Sequence, residues 1–314
     1  MIDDMYQPIT IRNSVLAEHL SVFDIHIRKS TSPQTADTYT RSLRCFLTFV
    51  IQDRKFKFRI KDFERYKTYL VESKQLQPQS IATYITSLRR FSEYLVEAKV
   101  LPRNPSIKIH VSTRKESKLV FFRNDELRMF FDSIDESTIQ GIRDKALFLL
   151  MLGCMCGEQE LQLATISNLS ENYDVLNVSS RKKEKVQIVQ IPQHVSSALR
   201  TYLQMRFPEG APSDAPLFHS LSNRTKGKAM SLRGIRETFK QRLKSSGISA
   251  ERHDELSPYA LRHSAGCIMA IAGYDFERIM QHMRVISPSI VQRYIDIAQK
   301  SEYHDLLQSL WLLE

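Results

Sequence analysis

The sequence is short of glycine, of cysteine and of long apolar runs, and each shortage narrows what the chain can be. Nine glycines in 314 residues leave few places for unusual backbone, and long segments carry helical periodicity instead. The four cysteines, Cys45, Cys154, Cys156 and Cys267, give no second pair at metal-site spacing, and they read as buried free thiols of a reducing compartment. Neither a metal nor any other cofactor is expected. No apolar run approaches the ~18–20 residues that a membrane span needs. The first residues, Met1 to Asn13, carry Asp3 and Asp4 and no basic stretch, unlike a secretory signal. The expectation is a soluble cytoplasmic chain with no membrane partner. There are no internal repeats and no low-complexity segment.

What is present is positive charge and periodicity. Lys and Arg number 45 against 35 Asp and Glu, a formal charge of +10, and a basic chain is attracted to polyanions, of which nucleic acid is the commonest. Ser32 and Pro33 suit the cap and first turn of a helix whose stripe is Ala36, Tyr39, Leu43, Phe46, Leu47 and Val50. A second helix is expected from about Phe63 to Ser73, capped by Asp62, and a third from about Ser80, with Ile81, Tyr84, Ile85, Leu88, Phe91, Tyr94 and Leu95 on one stripe. Residues 1–105 therefore read as a small four-helix domain, polar residues 106–120 as a linker, and residues 121–314 as a second domain. In the second domain Asn124 or Asp125 caps a helix and Ile142–Leu152 is a central apolar helix. Val175–Val178 and Val186–Ile191 alternate around Arg181-Lys182-Lys183-Glu184-Lys185, a β-hairpin with a charged tip.

The order of these parts resembles a known family, the tyrosine recombinases of the phage-integrase type. Thr35–Val50, then Ser80–Leu95, then Asn104-Pro105 resembles their helical core-binding domain, and from Phe121 on the chain resembles their catalytic domain. The fold so implied is mainly α with a small β-hairpin: a helical, SAM-like core-binding domain and an α+β integrase catalytic domain. Arg143–Leu147, then Glu160-Leu161 and Thr165–Leu169, resembles the surroundings of the family's first catalytic Arg, and ungapped counting puts that Arg on Gly157. The hairpin tip resembles the catalytic Lys turn, with Lys182 the closest equivalent and Lys183 or Lys185 as substitutes. Pro258–Ala265 resembles the His-x-x-Arg-His box: Tyr259 replaces its first His, while Arg262 and His263 are kept. Ungapped, the last His or Trp of the family falls on Val285, and a gapped alignment puts it on His282 instead; Tyr294 stands where the nucleophile belongs.

The resemblance implies attack of the Tyr hydroxyl on a DNA phosphodiester, a 3′-phosphotyrosyl bond, and departure of a 5′-hydroxyl. Guanidinium forks and a His suit the extra charge on the phosphate oxygens, and a flexible Lys suits protonation of the leaving oxygen. Here Lys182, Arg262 and Tyr294 survive, whereas Gly157 and Val285 offer no donor and Tyr259 offers one neutral hydrogen bond. Losing one such donor costs about 3–4 kcal/mol, or ~10²–10³ in rate. Arg143, Arg181 and His263 are candidates to fill the vacancy.

Off the apolar stripes, Thr40, Arg41 and Arg44 on one helix and Thr83, Thr86, Ser87, Arg89 and Arg90 on another suit phosphate and groove contact. Arg114, Lys115 and Lys118 in the linker, with Lys183 at the hairpin, extend that set. The implied partner is double-stranded DNA, bound by a homo-oligomer (dimer or tetramer) or together with a partner recombinase. The apolar tail after Tyr294 is expected to dock on a neighbouring protomer. Two readings of function stand: a working site-specific recombinase, and a catalytically impaired DNA-binding accessory or regulatory protein.

Overall fold

The computed structural model describes residues 9–111, 118–180, 183–284 and 288–313. The chain divides into two compact units, Met1–Ser117 and Lys118–Glu314.

Four helices build the first unit: α1 (Asn13–Ser30), α2 (Pro33–Gln52), α3 (Ile60–Glu72) and α4 (Pro78–Glu97). Ser32 caps α2 as its sequence suggests, accepting the Thr35 N–H at 3.2 Å, with Pro33 in the first turn. The apolar stripes of α2 and α4 meet α1 and α3 around Phe23, Phe46, Phe63, Tyr66 and Phe91. Edge-to-face packing locks this centre: the Phe46 and Tyr66 rings lie 5.1 Å apart at 73°, and those of Phe56 and Phe58 5.0 Å apart at 87°. Each such pair adds about 0.5–1.5 kcal/mol beyond the area it buries.

Helix α3 starts earlier than expected, because Asp62 does not cap it from outside. Its buried carboxylate sits inside the first turn and accepts the N–H groups of Lys57 and Arg59, each at 3.0 Å. Thr40 and Ser87 are also turned inward. The Thr40 hydroxyl donates to Asp24 at 2.5 Å, and those of Ser42 and Ser87 bond each other between α2 and α4.

The second unit contains α5 (Asn124–Asp132), α6 (Ile139–Gly153), α7 (Glu158–Leu163), a hairpin of β1 (Val175–Ser180) and β2 (Lys183–Gln190), α8 (Gln193–Arg206), α9 (Leu232–Ser245), α10 (Ala250–Glu255), α11 (Pro258–Ile271), α12 (Phe276–Met283) and α13 (Pro288–Ala298). Helix α6 is apolar on nearly every side and buried along most of its length, as a helix at the centre of a core must be. Thr138 caps it, accepting the Gly141 N–H at 3.0 Å. Helix α11 is the second buried rod, packed against α6, α9, α12 and α13. The hairpin is antiparallel and pairs Val175 with Gln190 and Val178 with Gln187. Its strands run farther than the alternation implied, so Lys183 belongs to β2.

Two polar residues, Asn124 and Arg143, settle differently from the sequence reading. Asn124 is the first residue of α5, not its cap, and it is spent on the C-terminal segment: Ser309 Oγ donates to Asn124 Oδ1 at 2.7 Å, and Asn124 Nδ2 donates to Gln308 at 3.2 Å. Arg143 is buried and bonded to Asp144 at 2.6 Å and to the His219 carbonyl at 3.2 Å, while Arg242 takes the other oxygen of Asp144, also at 2.6 Å. It is therefore part of the core's ion network.

The tail, a 3₁₀ segment over Ser301–Leu312, folds back on its own unit and buries Leu306, Ser309 and Leu312. The expected docking on a neighbour is not what this chain shows by itself. Three cysteines are buried and Cys45 is half-buried, all as free thiols. Among the described residues, no helix is long and apolar enough to cross a membrane.

Candidate active site

Helix α11 carries three of the expected side chains within its first two turns. Pro258 opens the helix, and Tyr259, Arg262 and His263 then follow at helical three- and four-residue steps. Tyr259 points outward, 42% exposed, with its ring edge-on to that of His263 at 4.8 Å. Arg262 is buried, 6% exposed. One of its terminal nitrogens donates to the Met283 carbonyl, the other lies 3.7 Å from Glu160 Oε2, and its Nε has no hydrogen-bond partner among the described residues. A buried guanidinium N–H without an acceptor is costly to leave unmade, so this side chain stands ready for an anionic oxygen.

Helix α13 brings Tyr294 to the same point. Its side chain is fully buried and its hydroxyl lies 2.7 Å from His263 Nδ1. The ring fits because residue 266 has no side chain: a Cβ there would stand 2.7–2.9 Å from three atoms of the Tyr294 ring. Burial, with Arg293 and Arg262 adding to it, lowers His263 to about 4. The imidazole is therefore neutral near pH 7, with one bare nitrogen to accept a proton. Burial, together with the neighbouring Cys267 and Tyr259, pushes the Tyr294 phenol well above its ordinary value. The phenol thus keeps its proton near pH 7, and its hydroxyl is hydrogen-bonded with His263 Nδ1.

The third wall is the start of α7. Gly157 is its N-cap and donates its N–H to Glu160 Oε2 at 2.7 Å. A Cβ on Gly157 would lie 3.6 Å from Arg262 Nη1 and 3.7 Å from Glu160 Oε2. The position where the sequence lacks a guanidinium thus opens directly onto Arg262. Burial raises the Glu160 carboxyl, but bonding to Arg284 and its charge, the Gly157 amide and Arg262 outweigh it and hold the group below its ordinary value. Arg284 ends α12 in left-handed backbone (φ 53°) and binds Glu160 Oε2 at 2.9 Å.

The structure thus brings Gly157, Tyr259, Arg262, His263 and Tyr294 together. Lys182, Val285, Arg114 and Lys115 lie outside the described residues, and of Lys183 only the backbone, in β2, is described. Arg41 and Arg44 are exposed on α2. On α4, Arg90 is exposed beside Glu93 at 3.8 Å, and the Thr83 hydroxyl bonds its own helix at the Gln79 carbonyl. Arg89 is different: its guanidinium donates to the carbonyls of Ser106 (3.4 Å) and Ile109, clamping the chain as it leaves α4. His282 is exposed and bonds the Arg278 carbonyl at 2.9 Å. The reading of the sequence missed Arg284 and Gly266. Among the described residues, no three His, Cys, Asp or Glu side chains stand together as a metal ion would need.

A four-helix unit followed by a mainly helical unit with one hairpin, its Arg, His and Tyr meeting at one buried point, defines the two-domain integrase class. The chain belongs to the phage integrase family: that family's profile matches residues 120–301, and the phage integrase SAM-like domain matches residues 19–111. Its sequence is 28% identical over 286 residues to the tyrosine recombinase XerC of Lacticaseibacillus casei, covering 89% of this chain and 94% of that one. It is 25% identical over 283 residues to XerC of Leptospira interrogans, covering 88% and 87%. In fold it is similar to the Tn1549 transposon integrase solved with circular intermediate DNA (TM-score 0.68, 17% identity, 89% and 94% covered). It is likewise similar to a lambda integrase dimer bound to a core site (TM-score 0.65, 12% identity, 88% and 94% covered).

Proposed function

We propose that the chain is a DNA-binding tyrosine recombinase that performs site-specific strand exchange on double-stranded DNA in the cytoplasm. The observation that carries this is the Tyr294 hydroxyl held 2.7 Å from the neutral His263, beside Arg262, whose buried Nε has no partner among the described residues. The relatives named as tyrosine recombinases and the fold neighbours solved on DNA support it.

Tyr294 Oη attacks the scissile phosphorus while its proton passes to His263 Nδ1. The P–O5′ bond breaks, its electron pair leaves with the 5′-oxygen, and that oxygen takes a proton from Lys182. Arg262 binds a non-bridging oxygen as charge builds there. A partner strand's 5′-hydroxyl then attacks the 3′-phosphotyrosyl bond, restoring the phenol and a phosphodiester. Exchange between two duplexes needs an active site for each broken strand, so the acting form is an oligomer on DNA. Its positive charge and the exposed Arg41, Arg44 and Arg90 supply phosphate contacts. Because Tyr294 is fully buried without DNA, DNA binding must shift α13 before attack.

The test is recovery of SDS-resistant protein–DNA adducts after incubation with sheared genomic DNA of the encoding organism, followed by sequencing of the trapped ends. Adducts at a recurrent sequence that vanish in Tyr294→Phe are expected. Sequence-specific binding without any adduct would overturn the catalytic reading in favour of an accessory DNA-binding role.

A further inference from the structure

We propose that Arg284 is a positioning residue that makes up, in charge, for the guanidinium that Gly157 cannot supply; this rests on the recombinase reading above. The backbone of the two positions inverts the usual preference. Gly157 sits at φ −83°, ψ 156°, open to any residue, and a Cβ there would make only ordinary contacts. Arg284 sits at φ 53°, ψ 33°, where a side chain costs roughly 1–2 kcal/mol. Met155, one of the residues it binds, is left-handed as well (φ 49°). Two strained non-glycine residues joined by a hydrogen bond are the kind of outlier that marks a functional requirement.

The path of the guanidinium shows what it does. Arg284 Nε and Nη2 grip Glu160 at 3.4 and 2.9 Å, Nη2 also donates to the Met155 carbonyl at 2.8 Å, and Nη1 donates to the carbonyls of Cys154 (3.1 Å) and His282 (3.0 Å). All of an arginine's donors are thereby used, so Arg284 does not itself reach for a phosphate. Among the described residues, the other cation within 4 Å of Glu160 is Arg262, at 3.7 Å from the same oxygen. With Arg284 in place, the carboxylate is satisfied and the three-group cluster keeps one net positive charge for the phosphate. Without it, Glu160 captures Arg262 in a neutral pair and the clamp is lost.

The experiment uses the full chain and the DNA site recovered from the adducts, in single-turnover cleavage of a nicked duplex carrying either a phosphodiester or a methylphosphonate at the scissile position. Arg284→Ala should slow phosphodiester cleavage about 100-fold, the size of a lost charge-stabilising group, with DNA affinity unchanged. The loss should be much smaller on the methylphosphonate, which carries one charge fewer. Gly157→Arg added to Arg284→Ala should restore most of the phosphodiester rate. Equal losses on both substrates, with no rescue by Gly157→Arg, would show that Arg284 only holds the fold and would overturn the inference. If Arg284→Ala does not fold, Arg284→Gln and Glu160→Gln/Arg284→Gln decide: recovery in the double variant supports the inference and its absence overturns it. Wild-type cleavage on the same duplex separates the two claims, since its absence would sink the recombinase reading and this inference with it.

Discussion

His219 and His263 are both largely withdrawn from water, and an imidazole in that setting resists taking a charge. Burial, helped by Arg206 and Arg143, lowers His219 to about 4, and His263 is lowered to about 4 as well. Their ordinary value is 6.5, so between about 6.5 and about 4 the unfolded chain holds more protons than the folded one. The stabilisation is therefore complete above that window and is lost as pH falls through it; for the buried His219 it is on the order of 3 kcal/mol. Urea midpoints should drop steadily from about pH 7 to about pH 5, and His219→Gln should flatten the slope by roughly one proton. An unchanged slope would mean that His219 is charged in the folded chain. The same physics keeps the His263 imidazole uncharged at neutral pH.

Helices α11 and α13 meet at a single missing side chain. A methyl group on Gly266 would overlap the Tyr294 ring at 2.7–2.9 Å, and that ring is fully buried, so it can move only if α13 moves with it. Gly266→Ala should destabilise the unit by about 1–3 kcal/mol, the usual cost of overpacking a core, and should break the hydrogen bond to His263. Chemical denaturation reads the first effect. The second appears as a faster reaction of Tyr294 with a phenol-directed nitrating reagent, and a protected Tyr294 in the variant would refute the packing argument. Elements like these differ in how far sequence reveals them. The start of α2 was legible because Ser32 and Pro33 act within one turn, whereas the start of α3 was not, because Asp62 takes N–H groups from the preceding loop. Arg262, His263 and Tyr294 were legible from their order in the chain. Arg284 was not, because its partner Glu160 is 124 residues away and only a left-handed helix end aims it there. Arg89, read as a groove contact, has its guanidinium on backbone carbonyls, a choice that no periodicity records.

At the scale of the whole chain, the C-terminal segment decides whether the catalytic unit is complete by itself. An apolar tail that is left unpaired exposes its leucines, so it must cover either its own core or that of a neighbour. In this chain it covers its own: Leu306 and Leu312 are buried, Ser309 and Gln308 bond Asn124, and Gln308 also accepts from Arg128 at 3.0 Å. Truncation of a buried leucine costs about 2–5 kcal/mol, and two are at stake here together with the bonds to a buried Asn124. Deleting the chain after Lys300 should therefore lower the melting temperature of the DNA-free protein sharply, without changing its sedimentation coefficient beyond the lost mass. If instead the truncated chain melts as the full one does and only its assembly on DNA fails, the tail's stabilising contacts lie with a neighbour. Asn124→Ala separates the cases further: it leaves the tail present, and it should reproduce part of the melting loss only if the tail is held by its own unit.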